Sequence, residues 1–123
     1  MHTITDETFE AAKAKAHVLL LELSARWCPP CRAIEPHLHA LEAERGDVVF
    51  ATVDVDDNPD TAAKLGVRAM PTMLLFVDGA VVAHLVGAQP KAKLAAWIDA
   101  HVPRSPNAHA HAHANEDADG GVR

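Results

Sequence analysis

Apolar and polar positions change their spacing along the chain, and each change marks the start of a new predicted element. A short amphipathic helix is predicted from Asp6 to about Lys15, because Thr5 can cap its first turn and its charges match the helix dipole. The continuous apolar run His17–Ala25 is typical of a strand that is covered on both faces. Glu22 interrupts this run, so the sequence predicts a carboxyl group inside a buried strand.

A longer helix is predicted from Pro29 to Arg45, and Gly46 ends it. Its apolar positions recur at helical spacing, at Ile34, Leu38 and Leu41. The prolines at its start are tolerated because the first turn needs no intrahelical N–H bond. Pro36 lies inside the helix and removes a backbone hydrogen bond, so we expect a bend there.

The second half of the chain predicts a strand, a short helix, a hairpin and a final helix. The strand covers Asp47–Asp56, and a helix follows it to about Leu65. Asp78 and Gly79 separate two β-rich runs within Thr72–Gly87, which is the pattern of a tight hairpin turn. The last helix is predicted over Lys91–Val102.

This order of elements predicts an α/β fold in which one mixed sheet carries helices on both faces. The first half requires parallel strands joined by a right-handed crossover, and the second half adds an antiparallel hairpin. We expect about four or five strands and about four helices in one domain over residues 1–102.

Charge and composition narrow the function and the location. The net charge of the 123 residues is -6, which argues against nucleic acid and anionic membranes as partners. The beginning of the chain has early acidic residues instead of the basic flank of a signal peptide, and no apolar run is long enough to span a bilayer. We therefore expect a cytoplasmic protein.

The composition shifts at Pro103, because no bulky apolar residue occurs between it and Val122. Residues 103–123 are predicted to form a disordered tail. His109, His111 and His113 alternate with alanines in this tail and are weak candidate metal ligands. Because nothing holds them in a fixed geometry, we favour a solvated tail and predict no metal site.

Cys28 and Cys31 are the cysteines of the chain, and they flank two prolines where a buried strand turns into a helix. The N-terminus of a helix favours a thiolate and can bring a cysteine pKa of ~8.5 down to about 7. Cys28 is therefore the predicted nucleophile, and Cys31, one turn into the helix, is the predicted resolving cysteine. Pro29 and Pro30 restrict the backbone between the sulfurs and are predicted to tune their redox equilibrium.

A structural crosslink and half of a zinc site are the competing interpretations of this pair. The crosslink is disfavoured because reducing compartments keep thiols open. The zinc site lacks a second pair of ligands, since His37 and His39 are two positions apart and point to different sides of the helix.

Several motifs together make the chain resemble the thioredoxin family over about Ile4 to Val102. They are WCPPC after a buried strand, Pro36 in the next helix, DVDDNP after the following strand, AMPT before the hairpin, DG in its turn and VGA at its end. The resemblance implies the thioredoxin fold and a thiol-disulfide oxidoreductase that reduces protein disulfides.

The resemblance also implies roles for residues around the cysteines. Trp27 is expected to shield the sulfurs, and Pro71 is expected to follow a cis peptide bond. A substrate strand is expected to dock through main-chain hydrogen bonds in a groove lined by Ala69, Met70 and Pro71, with Gly87 and Ala88 as the opposite lip.

Glu22 occupies the place of the family's buried aspartate, which accepts a proton from the resolving cysteine. A carboxyl group among leucines is expected to have a raised pKa, which suits a proton acceptor near neutrality. Thr52 replaces a lysine that is common in the family, and its absence should make Glu22 still easier to protonate. Ser24 replaces an aromatic residue and leaves a thinner cover over the helix start.

No bound cofactor is predicted, because the chain has no Gly-rich nucleotide fingerprint. By resemblance, the expected partners are disulfide-containing proteins and a flavin-dependent thioredoxin reductase that uses NADPH, and the chain is expected to act as a monomer. The alternatives are a metal-handling or partner-binding module of the same fold, and an oxidase or isomerase.

Overall fold

The structure, a computed structural model, describes residues 1–103. The strands are β1 (His2–Thr3), β2 (Val18–Ser24), β3 (Val49–Asp54), β4 (Thr72–Val77) and β5 (Ala80–Val86). The helices are α1 (Phe9–Lys15), α2 (Pro29–Glu44), α3 (Pro59–Leu65) and α4 (Lys91–His101). None of these helices is long and apolar enough to cross a membrane.

The strands form one mixed sheet in the order β1-β3-β2-β4-β5. β1, β3 and β2 are parallel, whereas β4 is antiparallel to β2 and β5 is antiparallel to β4. The predicted mixed α/β fold is confirmed. Sequence patterning did not reveal β1, because it has two exposed residues and no apolar run.

Buried side chains form a core on each face of the sheet. The α2–α4 face contains Val18, Leu20, Ile34, Leu38, Leu41, Val48, Phe50, Met73, Leu75, Leu94, Ile98 and Val102. The α1–α3 face contains Ile4, Phe9, Leu19, Leu21, Leu23, Ala51, Val53, Leu74 and Phe76. Residues of β2 alternate between these faces, which is why its whole sequence is apolar except for Glu22 and Ser24.

The hairpin turn and the place of Pro36 inside a helix agree with the sequence. Asp78 and Gly79 have positive φ angles of 52° and 84°, as a tight turn between β4 and β5 requires. Pro36 lies within α2, and the helix continues past it to Glu44.

The predicted start of α1 is wrong. The helix begins at Phe9, its N-cap residue is Thr8, and Thr5 lies in the preceding turn. The carbonyl of Thr5 accepts hydrogen bonds from the N–H groups of Thr8 and Phe9 and closes this turn. Asp6 lies before the helix, and its carboxylate accepts hydrogen bonds from the distant residue Thr61.

Candidate active site

The two cysteines lie at the junction between β2 and α2 and form a disulfide with a Cα–Cα distance of 5.3 Å. Cys28 is the N-cap residue of α2, and its Sγ accepts a hydrogen bond from the N–H of Cys31 at 3.3 Å. Pro29 and Pro30 occupy the first helical positions, where no intrahelical donor is needed. The Cys28 sulfur therefore faces the positive end of the helix, which favours a thiolate after reduction.

Both cysteines are covered by apolar neighbours. Cys28 is 3% exposed and Cys31 is 1% exposed. They form a small cluster with Ala25, against which Val55 and Met70 pack. Both cysteines are thus almost fully buried in the disulfide form.

Trp27 lies beside this cluster at the surface. Its side chain is 63% exposed, and its indole N–H donates a hydrogen bond of 2.6 Å to Asp56 in the loop after β3. Arg26 pairs with Asp57 of the same loop through two hydrogen bonds, of 2.9 and 3.1 Å. These contacts fix the residues before Cys28 to the β3–α3 loop.

The loop before β4 contains the cis Met70–Pro71 peptide bond. The Thr72 hydroxyl donates to the carbonyl of Ala69 at 2.6 Å, which closes the loop from within. The N–H of Gly87 donates to the carbonyl of Pro71 at 2.8 Å. The structure therefore brings Pro71 and Gly87 together, and Met70 reaches the cysteines.

Ala69 and Ala88 are both exposed, one on each side of the Pro71–Gly87 contact. Pro71 itself is buried, and Gly87 has a φ of 95°, which disfavours a residue with a side chain there. The predicted groove residues thus lie directly before β4 and directly after β5, at the open end of the hairpin.

Glu22 lies in the middle of β2 and is fully buried, with 0% exposure. Neither of its carboxylate oxygens has a hydrogen-bond partner within residues 1–103. Burial is the main cause that raises its pKa to about 7, and the negative charge of Glu35 adds to this rise. The predicted raised pKa is confirmed in direction.

Thr52 stands opposite Glu22 in β3, and Met73 stands opposite it in β4. Both strand neighbours of Glu22 are therefore uncharged. Ser24, nearer the cysteines, is buried.

Residues 1–100 match the family model of thioredoxin. The chain belongs to the thioredoxin family. It is 41% identical over 104 residues to a thioredoxin of Rhodospirillum rubrum, an alignment that covers 83% of this chain and all (100%) of the relative. Thioredoxin C-2 of Corynebacterium nephridii is 46% identical over 100 residues, covering 80% of this chain and 93% of the relative.

Solved thioredoxin structures show the same fold. The X-ray structure of Fasciola hepatica thioredoxin is similar with a TM-score of 0.75 and 38% identity, over 82% of this chain and 99% of that chain. Thioredoxins are thiol-disulfide oxidoreductases, and this member of the family is one, with Cys28–Cys31 as its redox-active pair. Disulfide substrates and a reductase are its general classes of partner.

Two features of this thioredoxin site were not recognised as functional from the sequence. Val55 packs against the cysteines, and Asp56 holds Trp27. Both belong to the DVDDNP segment, which supported the resemblance without a residue-level role. The run of aspartates in that motif could have indicated their role. Asp54 accepts hydrogen bonds from the N–H groups of Asp56 and Asp57 and so shapes the loop that holds Trp27.

The predicted tail 103–123 lies outside the described residues except for Pro103. The candidate ligands His109, His111 and His113 also lie outside them. Within residues 1–103, no group of three or more His, Cys, Asp and Glu side chains is placed to hold a metal ion. The comparisons do not favour the metal-handling alternative.

Proposed function

We propose that the protein works as a reductant of protein disulfides, in which Cys28 attacks the substrate and Cys31 releases it. The observation that carries this proposal is the position of the pair: Cys28 caps the N-terminus of α2, and the buried, unpartnered Glu22 lies in the strand that leads to it. The helix terminus favours an anionic nucleophile, and the buried carboxyl group can accept a proton near neutral pH.

In the first step, the Cys28 thiolate attacks one sulfur of a substrate disulfide. A Cys28–substrate disulfide forms, the substrate S–S bond breaks, and the departing thiolate takes a proton from water. The N–H of Cys31, which already reaches Cys28 Sγ at 3.3 Å, supports the negative charge on that sulfur before the attack.

In the second step, the Cys31 thiol gives its proton to the Glu22 carboxylate and attacks Cys28 Sγ. The Cys28–Cys31 disulfide forms while the Cys28–substrate bond breaks, and the second substrate sulfur leaves as a thiolate. The substrate gains two electrons and the cysteine pair loses two. A base with a pKa near the working pH is suited to this transfer, and the pKa of Glu22 is about 7.

An extended substrate segment would dock where Ala69, Met70 and Pro71 meet Gly87 and Ala88. Support for this comes from the contact of Pro71 with Gly87 and from the packing of Met70 against the cysteines. Trp27, largely exposed and anchored by Asp56, offers an aromatic surface next to the same place. Main-chain hydrogen bonds give such docking little dependence on substrate sequence.

Return of the dithiol requires a two-electron donor. By family membership we assign this role to a flavin-dependent thioredoxin reductase that uses NADPH, which makes the protein an electron carrier in cell redox homeostasis. We also propose a cytoplasmic location and a monomer.

Trapping experiments test the roles of the cysteines. We expect Cys31→Ser to accumulate stable mixed disulfides with substrate proteins, because Cys28 still attacks and nothing releases the product. Cys28→Ser should trap none, because the remaining Cys31 thiol is buried inside α2 and does not cap the helix terminus that favours a thiolate. Equal trapping by both variants would remove the assignment.

The reduction potential tests the direction of electron flow. A value near the roughly -270 mV of a thioredoxin is expected for a reductant, whereas a value near about -120 mV, like that of the oxidant DsbA, would identify an oxidase. Equilibration of the pair in glutathione or dithiothreitol buffers, followed by thiol counting, gives this value directly.

A further inference from the structure

A cavity of about 470 Å³ lies beside the proposed substrate groove, between residues 65–69 and the edge strand β5. Residues 65–69 are the end of α3 and part of the loop that follows it, and they form one wall. Val81, His84 and Val86 of β5 form the other wall. The volume is in the range of pockets that bind ligands, so the cavity can hold a large side chain of a partner.

This part of β5 is left uncovered by the helices on its face of the sheet. Leu74 of β4 is buried in the α1–α3 core, and its direct cross-strand partner is His84. Directly opposite residues of paired strands lie on the same face, yet His84 is exposed. Val81 and Val86 also line the cavity and are 49% and 47% exposed. The cover of α1 and α3 therefore ends at β4, and apolar side chains of β5 remain open to solvent.

The cavity is continuous with the proposed groove. Ala69 belongs both to the groove and to the cavity wall. Thr72 directly follows Pro71, Val86 directly precedes Gly87, and both line the cavity. Because the N–H of Gly87 donates to the carbonyl of Pro71 at 2.8 Å, the cavity begins where the two lips of the groove meet.

Arg68 gives the cavity a positive charge. Among the described residues that line it, Arg68 is the only Asp, Glu, Lys or Arg. Arg26 pairs with Asp57 and Arg45 pairs with Asp99, whereas Arg68 is exposed and forms no hydrogen bond or ion pair within residues 1–103. The cavity is thus locally positive in a chain whose net charge is -6, which favours contact of an acidic segment at this place over the rest of the surface.

We propose that the cavity is a substrate subsite, which takes an apolar side chain of the disulfide-bearing segment while Arg68 binds an acidic residue of the same segment. The proposal rests on the proposed function, because the segment is the one whose disulfide Cys28 attacks. An extended chain advances about 3.3 Å per residue, so a side chain a few residues from the attacked cysteine reaches past Ala69. Docking in the groove depends little on substrate sequence, and the subsite adds a preference for disulfides flanked by an apolar and an acidic residue.

The kinetic test compares the reduction of three peptide disulfides by the reduced protein. The first peptide carries Phe and Glu two positions apart near its cysteine, so that both side chains lie on one side of an extended chain. The second has Ala in place of Phe, and the third has Gln in place of Glu. Moving the pair along either side of the cysteine locates the subsite. For the wild type we expect kcat/KM to be roughly tenfold higher with Phe than with Ala, because the Phe side chain is buried.

Two variants remove the two parts of this preference. Val81→Trp should reduce the preference for Phe over Ala, because the larger side chain fills the cavity. Arg68→Gln should reduce the preference for Glu over Gln by about two- to fivefold, the effect of an exposed ion pair, and added salt should reduce it in the wild type as well.

Val49→Trp and Lys93→Gln are the matched controls, because both residues are exposed and neither lines the cavity. We expect both controls to keep the wild-type ratios of kcat/KM. A wild type that reduced the three peptides equally well, or equal losses in the controls, would overturn the proposal.

A binding test without redox chemistry separates this proposal from the proposed function. The oxidised protein is titrated with the Phe–Glu peptide whose cysteine is replaced by serine, and 1H–15N NMR follows the backbone amides. We expect the signals of residues 65–69 and 81–86 to shift in the wild type and not in Val81→Trp. If the wild type reduced no disulfide, the proposed function would fail, and these shifts would still decide whether the subsite binds the segment. Unshifted signals, or shifts that follow protein concentration without peptide and so indicate a second copy in the cavity, would overturn the subsite.

Discussion

Two carboxyl groups, one on each side of the sheet, are held in opposite ways. Asp6, at the edge of the α1–α3 face, accepts hydrogen bonds from the N–H and hydroxyl of Thr61, at 2.8 and 2.6 Å, and from the N–H of Asp60 at 3.3 Å. These bonds hold the pKa of Asp6 below its usual value, and the bond from the Thr61 hydroxyl contributes most to this lowering. Glu22, inside the α2–α4 face, has no such donor, and burial raises its pKa.

The difference separates a structural carboxylate from a functional one. Asp6 joins the turn before α1 to the first turn of α3, so its ionised form supports the native contacts. Burying Glu22 without a partner costs stability whenever it is ionised. A group that opposes folding at neutral pH and lies in the strand leading to a redox pair is best explained by its chemistry.

The largest expected effect is on the stability of Glu22→Gln. Because the pKa of Glu22 is about 7 in the folded chain and 4.5 when unperturbed, the native state binds more protons between these values, and wild-type stability falls as pH rises through this window. Above the window the neutral variant should be more stable by about 3 kcal/mol, and at acidic pH the gain should vanish.

Urea unfolding of both proteins with the disulfide intact, from acidic to alkaline buffers, measures this difference. A variant that is less stable than the wild type at alkaline pH would show that the Glu22 carboxylate stabilises the fold, and the contrast with Asp6 would be lost.

A smaller effect is expected when a cation is placed beside Glu22. Thr52→Lys puts an ammonium group opposite the carboxyl group in the neighbouring strand, which should lower the pKa of Glu22 and flatten the pH dependence of stability. Thr3→Lys is the control, because Thr3 pairs with Thr52 one strand further away and is exposed. The same urea unfolding measures the pH dependence of stability. If it were unchanged in Thr52→Lys, a charge at this strand position would not control the pKa of Glu22.

The smallest effect is expected for Asp6→Asn, and its sign is opposite. Because the folded pKa of Asp6 is lowered, the carboxylate stabilises the protein above its usual pKa of 3.8 and loses this effect as pH falls through the lower folded value. The variant should therefore be less stable at neutral pH and equal to the wild type in strong acid. Glu7→Gln, an exposed neighbour, controls for loss of charge. A deficit for Asp6→Asn that persisted in strong acid would assign the effect to packing.

The local parts of the fold could be predicted from the sequence. Periodicity indicated the helices and strands, Asp78–Gly79 indicated the hairpin, and the resemblance implied the cis peptide bond at Pro71, which the structure contains. The raised pKa of Glu22 followed from its place in an apolar strand.

Features that depend on distant residues could not be predicted. The bonds of Asp6 join residues 54 and 55 positions apart. β1 exists only because its two residues pair with β3.

The central claim is that Glu22 takes the proton from Cys31 during release of the substrate. The most direct measurement is the rate of that release from a preformed Cys28 mixed disulfide, as a function of pH, in the wild type and in Glu22→Gln. We predict a wild-type rate that rises through about pH 7, where Glu22 ionises, and a slower variant without this inflection. Identical rates and profiles in the two proteins would contradict the claim.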